Sequence, residues 1–160
     1  MVAQVWQQVS RLCLHIDSAG GTVSPPVGDK KYFHGTVAHH SAQGDDSWIC
    51  TGWSGSVTDT DPTPELPMND DESVMANFIE GVKITVNTEG SGTVSPGTDV
   101  YPKEPNNGTR LFTATPAEGW YFKEWTGDIA GEDPNDASLD LPMNQPRTIT
   151  AHFVERFTLQ

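Results

Sequence analysis

The sequence is poor in basic residues, in cysteine and in long apolar runs. Its 160 residues include 9 Lys and Arg against 22 Asp and Glu, which gives a formal net charge of −13. Nucleic acid and anionic membrane surfaces bind cationic faces, so this charge balance argues against both partners. No apolar stretch approaches the roughly 18 to 20 residues that cross a bilayer, and none near the N-terminus has the apolar core of a signal peptide. We therefore expect no membrane insertion, and we expect an export signal and an anchor to lie outside this sequence.

What the sequence does contain is an internal repeat with a spacing of about 71 to 75 residues. The motif GTVSP and the motif LPMN each occur twice without change, and two pairs of tryptophans fall in register between them. The matched blocks, in chain order, are residues 21–25 with 92–96, 35–36 with 108–109, 48–55 with 120–127, 66–69 with 141–144 and 76–80 with 151–155. Identical blocks in one order indicate a tandem duplication.

The length of the repeat bears on how many domains there are. Solenoid and propeller units of about 20 to 50 residues must stack on their neighbours, whereas a repeat of about 72 residues can enclose a small core of its own. We therefore predict two domains, residues 12–80 and 82–155, each near the lower size limit for a single hydrophobic core.

The two ends of the sequence match the repeats less well. Residues 1–11 are predicted to be an N-terminal extension or linker, with a short apolar pattern of helical spacing that ends at Val9. Residues 156–160 have the alternation that opens the second repeat, so we predict that they begin a third copy.

Alternation of apolar and polar residues at period two is the dominant pattern inside each repeat. Leu12, Leu14 and Ile16 alternate with more polar residues in the first repeat, and residues 82–86 show the same alternation in the second. Gly, Pro, Asn and Asp, which favour turns, fill the connections. The sequence therefore predicts an all-β or mainly β fold, with four or more short strands in each repeat and little or no helix.

Each repeat has large aromatic residues at equivalent positions. Exposed tryptophans that stack on sugar rings are one interpretation of Trp53 and Trp125. Their presence in both copies, on the inward register of a strand, is more typical of core residues, and burying such a ring stabilises a small domain by roughly 1.5 to 3 kcal/mol. The predicted structural core comprises Trp48, Trp53, Phe78, Trp120, Phe122, Trp125 and Phe153.

An acidic segment of the first repeat has the spacing of a calcium loop. Asp59, Asp61, Glu65 and Asp70 fall at positions 1, 3, 7 and 12 of a loop of this kind. Position 6 of an EF-hand requires glycine, and Pro64 stands there with its fixed φ, so an EF-hand is excluded. The acidic stretch of the second repeat has different spacing. A loose calcium site and ordinary solvated turns are the two interpretations, and no other cofactor is predicted.

Three of the five histidines lie within seven residues of one another, at His34, His39 and His40. Adjacent residues of a strand point to opposite faces, so His39 and His40 cannot share a metal without a bulge. We predict that His40 is a half-buried replacement for Phe112.

Cys13 and Cys50 are the only cysteines, and both belong to the first repeat. The alternation directs Cys13 outward and Cys50 inward, so their Cβ atoms are expected to diverge. A disulfide is permitted in an oxidising compartment, and two free thiols are the other state; the sequence leaves both open.

The order of motifs in each repeat resembles a known family. The series Gly-x-Val-x-Pro, Gly-Thr, an alternating strand, Gly-aromatic-x-Phe-x-x-Trp-Thr-Gly, an apolar-Met-Asn turn and Ala-x-Phe is similar to the divergent B-repeat modules of internalin-type bacterial surface proteins. Residues 82–155 follow this series nearly throughout, whereas the first repeat departs from it at His40, Ser47 and Cys50. The resemblance implies β-grasp-like domains, found in tandem in secreted or surface-anchored bacterial proteins and usually without catalytic activity.

The first functional hypothesis is therefore a non-enzymatic module of a bacterial extracellular or cell-surface protein, acting as a stalk, a spacer or an adhesion module. Its expected partners are a host-surface or cell-wall protein or a glycan, and its expected state is a monomer. The alternative is a carbohydrate-binding or accessory module of a secreted enzyme, with Tyr32, Tyr101 and Tyr121 as the residues that would stack on sugars. An enzyme is a third hypothesis. The sequence argues against it, because it contains no Gly-x-Ser-x-Gly motif and no histidine base that recurs in both repeats.

Overall fold

The computed structural model describes residues 8–17, 20–104 and 108–156. These residues form β-strands joined by turns, and no helix is present among them. The mainly β fold predicted from the sequence is thus confirmed. The chain divides into two compact units, residues 1–80 and 81–160. Within the described ranges there is no helix with the length and apolarity that a membrane span needs.

Most strands are short, and one long strand is common to both units. The first unit contains β1 (Val9–Ile16), β2 (Gly21–Ser24), β3 (Gly28–Phe33), β4 (Thr36–His39), β5 (Ser41–Gly44), β6 (Trp48–Gly55), β7 (Glu65–Met68) and the first part of β8 (Glu72–Glu89). The second unit contains the rest of β8, β9 (Gly92–Ser95), β10 (Asp99–Pro102), β11 (Thr109–Pro116), β12 (Trp120–Gly127), β13 (Ser138–Pro142) and β14 (Arg147–Glu155).

Each unit has a larger, mixed sheet of four strands. In the first unit the order is β6-β8-β1-β3, with β8 and β1 parallel and the outer strands antiparallel to them. In the second unit the order is β12-β14-β8-β10, with β14 and β8 as the parallel pair. Parallel neighbours require a crossover connection. The intervening strands supply it in both units, so the two sheets have one topology.

The crossover strands form smaller antiparallel sheets. In the second unit β11 is continuous and pairs with both β9 and β13. In the first unit the corresponding strand is divided at His40, so that β5 pairs with β2 and β4 pairs with β7. The register fixes the equivalence, because Ala42 pairs with Val23 as Ala114 pairs with Val94.

Strands β6 and β12 each have a β-bulge at the same place. The register shifts between Cys50 and Gly52 in one unit and between Phe122 and Glu124 in the other. In a regular strand, residues three apart face opposite sides; the extra residue of a bulge restores them to one side. Phe122 and Trp125 consequently pack on each other, with ring centroids 5.6 Å apart.

Each unit has its own hydrophobic core. Four of the aromatic residues singled out above are buried, namely Trp53, Phe78, Trp125 and Phe153. The other three, Trp48, Trp120 and Phe122, are partly buried and pack against these cores. The remaining buried aliphatic residues come mainly from the mixed sheet and the crossover strands of each unit, so the core fills the space between them.

The start of the first unit differs from the predicted boundary. Val9, the last residue of the apolar pattern with helical spacing, is the first residue of strand β1, so residues 9–11 belong to the first unit. The rest of that pattern and residues 157–160 of the predicted third copy lie outside the described residues.

Candidate functional site

The two equivalent tryptophans at the ends of β6 and β12 are core residues in the structure. Their exposed fractions are 2% for Trp53 and 1% for Trp125, so neither ring offers a face to a sugar. The Nε1 of Trp125 donates a hydrogen bond to the carbonyl of Asp136 at 2.9 Å. The Nε1 of Trp53 has no partner among the described residues. At this position of the scaffold, the indole N–H is therefore hydrogen-bonded in the second unit, whereas in the first unit it has no partner among the described residues.

His40 is the polar residue buried most unexpectedly. It is 3% exposed, deeper than the half-buried state predicted, and within the described chain neither ring nitrogen has a hydrogen-bond partner. Its ring meets Trp53 edge to face, with centroids 4.5 Å apart. Burial lowers the pKa of His40, against a smaller opposing effect of the Ala38 backbone. The ring is therefore neutral at pH 7 and takes the core position that Phe112 has in the second unit.

The carboxylates with calcium-like spacing shape a turn. Asp59 Oδ1 accepts a hydrogen bond from the backbone N–H of Asp61 at 3.0 Å. Asp61 Oδ1 accepts from the N–H and the Oγ1 of Thr63, at 2.8 and 2.9 Å, and these bonds lower the pKa of Asp61. Side chains of this kind mimic backbone turns. The segment is therefore folded by its own hydrogen bonds.

The structure does not gather the candidate metal ligands. Glu65 Oε1 lies 3.6 Å from His39 Nδ1, both side chains being exposed. In the ranges that the structure describes, no three His, Cys, Asp or Glu side chains group closely enough to hold a metal ion, and this covers Asp59, Asp61, Glu65 and Asp70. A calcium ion would need six or more oxygen ligands.

Both cysteines are free, which settles the alternative that the sequence left open. Cys13 Sγ lies 3.1 Å from His15 Nε2 on the exposed side of β1. A hydrogen bond with Asp29 raises the pKa of the Cys13 thiol. Since the thiolate is the nucleophile, this environment disfavours reactivity. Cys50 packs against the core of the first unit at the position equivalent to Phe122.

The second unit contains a polar triad that sequence reasoning missed. Thr126 Oγ1 lies 2.7 Å from His152 Nε2, and His152 Nδ1 lies 3.0 Å from Glu89 Oε2. A nucleophile, a base and an orienting carboxylate have this spacing in hydrolases. The three residues come from β12, β14 and β8, and only the pairing of these strands brings them together.

The surroundings of this triad are those of a surface cluster. Thr126 and Glu89 are exposed, and the Glu89 side chain retains 70% of its accessible area. Catalysis of acyl transfer needs preorganised donors in a water-excluding site. In the first unit the equivalent pair is Ser54 with Asn77, joined at 3.2 Å, and an amide cannot serve as a base. What the units share here is a cross-strand hydrogen bond.

The three tyrosines have different environments. Tyr101 is buried, donates its hydroxyl to the Gly97 carbonyl and lies under the Arg110 guanidinium, 4.6 Å from the ring centroid. It therefore cannot stack on a sugar. Tyr121 is exposed on β12, and Tyr32 is partly buried in the wall of a groove.

This groove belongs wholly to the first unit. Its volume is 440 Å³, and its lining combines four apolar or aromatic side chains with one lysine and one threonine. The residues that line it are Val9, Lys31, Tyr32, Phe33, Thr36 and Val37.

The two units have the same strand topology, equivalent strand pairing and separate cores, which defines a tandem β-repeat protein. The sequence model of the divergent InlB B-repeat domain matches residues 14–81 and 82–156, and these two matches span most of the chain. The chain therefore belongs to the divergent InlB B-repeat family, as its motifs suggest. Repeats of this family occur in bacterial surface proteins and are generally non-catalytic. None of the curated proteins compared with the chain matches it.

Proposed function

We propose that this chain is a non-enzymatic repeat segment of a bacterial extracellular or cell-surface protein, in which β-grasp-like units serve as a stalk or spacer and present an adhesive surface. One observation carries the proposal: the two units share their strand order, their bulge and their core tryptophans, whereas their polar groups differ. A duplicated catalytic or ligand site would be expected to keep its chemistry. Here the conserved part of the duplication is the scaffold.

The position-by-position differences support this reading. The second unit has Thr126 and His152 where the first has Ser54 and Asn77. The loop that carries Asp59 and Asp61 in the first unit has another spacing of acidic residues in the second. Only the turn geometry is common, since the backbone N–H of Trp53 donates to the Asp59 carbonyl and that of Trp125 to the Pro134 carbonyl, each at 2.7 Å.

Surface location can be tested on intact cells of the bacterium that encodes the chain. Antibodies against the purified chain should label unpermeabilised cells, and external protease should remove the label. A cytoplasmic protein of the same cells, labelled only after permeabilisation, is the control. Label confined to permeabilised cells would contradict the proposal.

Absence of catalysis can be tested at the polar triad. His152→Asn gives the second unit the side chain that the first unit has, so its fold should be retained. Against ester and peptide substrates, the chain and this variant should both be inactive. Hydrolysis that His152→Asn and Thr126→Ala abolish would establish an enzyme instead.

A glycan-binding module is the second candidate, favoured by one observation. Tyr121 is 45% exposed on an open strand, where its ring face can stack on a sugar. A glycan array should separate the candidates, since a spacer gives no hit. A hit that is lost in Tyr121→Ala and kept in Leu111→Ala, another exposed apolar residue, would favour the glycan module.

A further inference from the structure

Strand β3 is an open edge of the mixed sheet in the first unit. In the described part of the chain it pairs only with β1, so the other side of Gly28–Phe33 has no strand partner. An exposed edge can accept an extended peptide as an additional strand, with affinity from backbone hydrogen bonds and specificity from adjacent side-chain pockets.

The apolar groove lies at the end of this edge strand. Val9, Phe33 and Val37 line it and are 46%, 54% and 43% exposed, which is high for large apolar side chains. Val9 and Phe33 are also direct partners in the pairing of β1 with β3. The groove therefore extends the edge strand with an apolar surface. Covering this surface with an apolar group of a ligand is favourable, because it removes apolar area from water.

The groove is held in shape by hydrogen bonds of the turn between β3 and β4. Thr36 Oγ1 donates to the Phe33 carbonyl at 2.8 Å. The N–H groups of His34 and Gly35 donate to the carbonyls of Gln8 and Met68, each at 2.9 Å. A preformed groove loses little conformational entropy when it binds.

The cations of the first unit are concentrated beside this groove. Arg11, Lys30 and Lys31 are the only basic residues between residues 1 and 80, and they lie on β1 and β3. Arg11 and Lys31 stand opposite each other in the register. Like charges at such positions repel, and among the described residues neither side chain has an ion-pair partner. The Asp71 carboxylate accepts from the Arg11 backbone N–H at 2.7 Å, and both side-chain charges are left without an ion pair in the described chain, which favours an anionic group at this surface.

The second unit lacks this arrangement. Pairing of β8 with β10 places Gly81 and Pro102 at the positions of Val9 and Phe33, and pairing of β11 with β13 places Thr109 at the position of Val37. Proline cannot donate to an added strand and is typical of protected edges. The second unit has an edge strand at the equivalent place, β10, which ends in a proline, so the groove beside the edge is not part of the repeated scaffold.

We propose that this surface of the first unit binds an extended, acidic peptide segment of another protein. The peptide adds to β3, places an apolar side chain in the groove and sets carboxylates against Lys31 and Arg11. Lysines on an edge strand discourage pairing with neutral strands and attract acidic ones, so they select the partner. Apolar walls beside free backbone groups favour a peptide over a glycan. This inference rests on the proposed function, because it names the partner class of the adhesive surface.

The test uses the full chain and a short fluorescent peptide in which glutamate and valine alternate. Fluorescence anisotropy should show saturable binding that weakens as salt is added, since screening reduces exposed charge attraction. Lys31→Glu and Phe33→Ser should each weaken binding by about tenfold or more. Leu111→Ser is the matched control, because Leu111 in the second unit has the same exposed fraction as Phe33, 54%. This variant should bind as the unaltered chain does, and circular dichroism should show that all variants are folded.

Several results would overturn the inference. These are equal binding of a peptide that alternates lysine and valine, no effect of Lys31→Glu, or an equal effect of Leu111→Ser. Displacement of the peptide by an oligouronic acid at lower concentration would identify a glycan site. Self-association that Phe33→Ser abolishes would identify a second copy of the chain as the occupant, and binding that appears only after deletion of residues 1–7 would identify the chain's own N-terminal segment. Failure here with surface labelling intact would leave the proposed spacer role standing.

Discussion

His40 occupies in the first unit the place that Phe112 occupies in the second. Each lies two residues before an alanine that pairs with a valine across the sheet, Ala42 with Val23 and Ala114 with Val94. His40 is 3% exposed and Phe112 is 0% exposed. Phe112 lies within a continuous strand, whereas the pairing in the first unit is interrupted at His40. A polar ring without hydrogen-bond partners in the described chain thus takes the place of an apolar one.

His40→Phe is expected to stabilise the first unit by about 1–3 kcal/mol, since a buried polar group without a partner costs roughly this much. Amide hydrogen exchange on the full chain can follow the two units separately. Protection should rise in β4 to β7 and stay unchanged in β11 to β14. The reverse substitution, Phe112→His, should lower protection in the second unit. A loss of protection in His40→Phe would mean that the imidazole makes a contact the phenyl ring cannot replace.

The lowered pKa of His40 also predicts a pH dependence confined to the first unit. The unfolded chain takes up the proton near the ordinary value of 6.5, and the folded unit does so only at lower pH. The unfolded state therefore binds more protons as pH falls below this value, so the free energy of unfolding is highest above it and decreases towards the folded-state pKa. One proton limits the slope to about 1.4 kcal/mol per pH unit.

Denaturant titrations at a series of pH values between neutral and mildly acid, monitored by the same exchange measurement, check this dependence. In His40→Phe the slope of the first unit should disappear. An unchanged slope in that variant would place its origin in other groups.

The sequence predicts the repeated features of the fold well. Alternation in residues such as Leu12 and Leu14 depends only on local period, and duplication shows which aromatic positions are part of the scaffold. The bulge in β12 is different, because the spacing of Phe122 and Trp125 shows that alternation is broken without showing where the extra residue lies. His40 is identified by alignment with Phe112, yet its depth depends on how the surrounding strands pack.

The surface clusters are harder to predict because they depend on pairing between distant strands. The link between His152 and Glu89 exists because β14 runs parallel to β8 in one particular register. The groove beside Phe33 forms where β1, β3 and β4 meet, whereas the sequence pattern around Val9 predicts an N-terminal extension. Residues of this kind can be found from the sequence only if the strand order is already known.

Asp128→Ala is expected to destabilise the second unit by about 1–3 kcal/mol. The reason is that Arg147, 8% exposed, donates to Asp128 Oδ1 at 2.6 Å and to Asn144 Oδ1 at 3.0 Å. Loss of the carboxylate leaves a buried guanidinium without its counterion, and the partial exposure of Asp128 keeps the cost below that of a fully buried pair. Thermal unfolding checks the prediction. Glu132→Ala, a carboxylate removed from the same connection, should have little effect, and equal effects of the two substitutions would show that general charge repulsion dominates.

Gly127→Ala is expected to destabilise the second unit by about 1–3 kcal/mol. Gly127 has φ +100°, and a Cβ there would lie 2.3 Å from the Thr148 carbonyl oxygen. Gly55 has the same φ in the first unit and the same conflict with Ser73, so Gly55→Ala should cost a similar amount. Gly97→Ala is the control, since no atom lies within 4 Å of its added Cβ. Denaturant midpoints for the three variants measure these costs, and a neutral Gly127→Ala would show that the turn relaxes.

Strand β8 contributes residues to both units, and the residues on the two sides of the boundary are paired within their own units, Glu80 with Trp48 and Gly81 with Pro102. Proteases cut exposed loop tips in preference to paired strands. Limited digestion should therefore open the acidic connections inside the units before it separates them. Fragments from such a digest would be parts of units with incomplete sheets. A single repeat is better isolated by expressing a segment whose ends are chosen from the strand pairing.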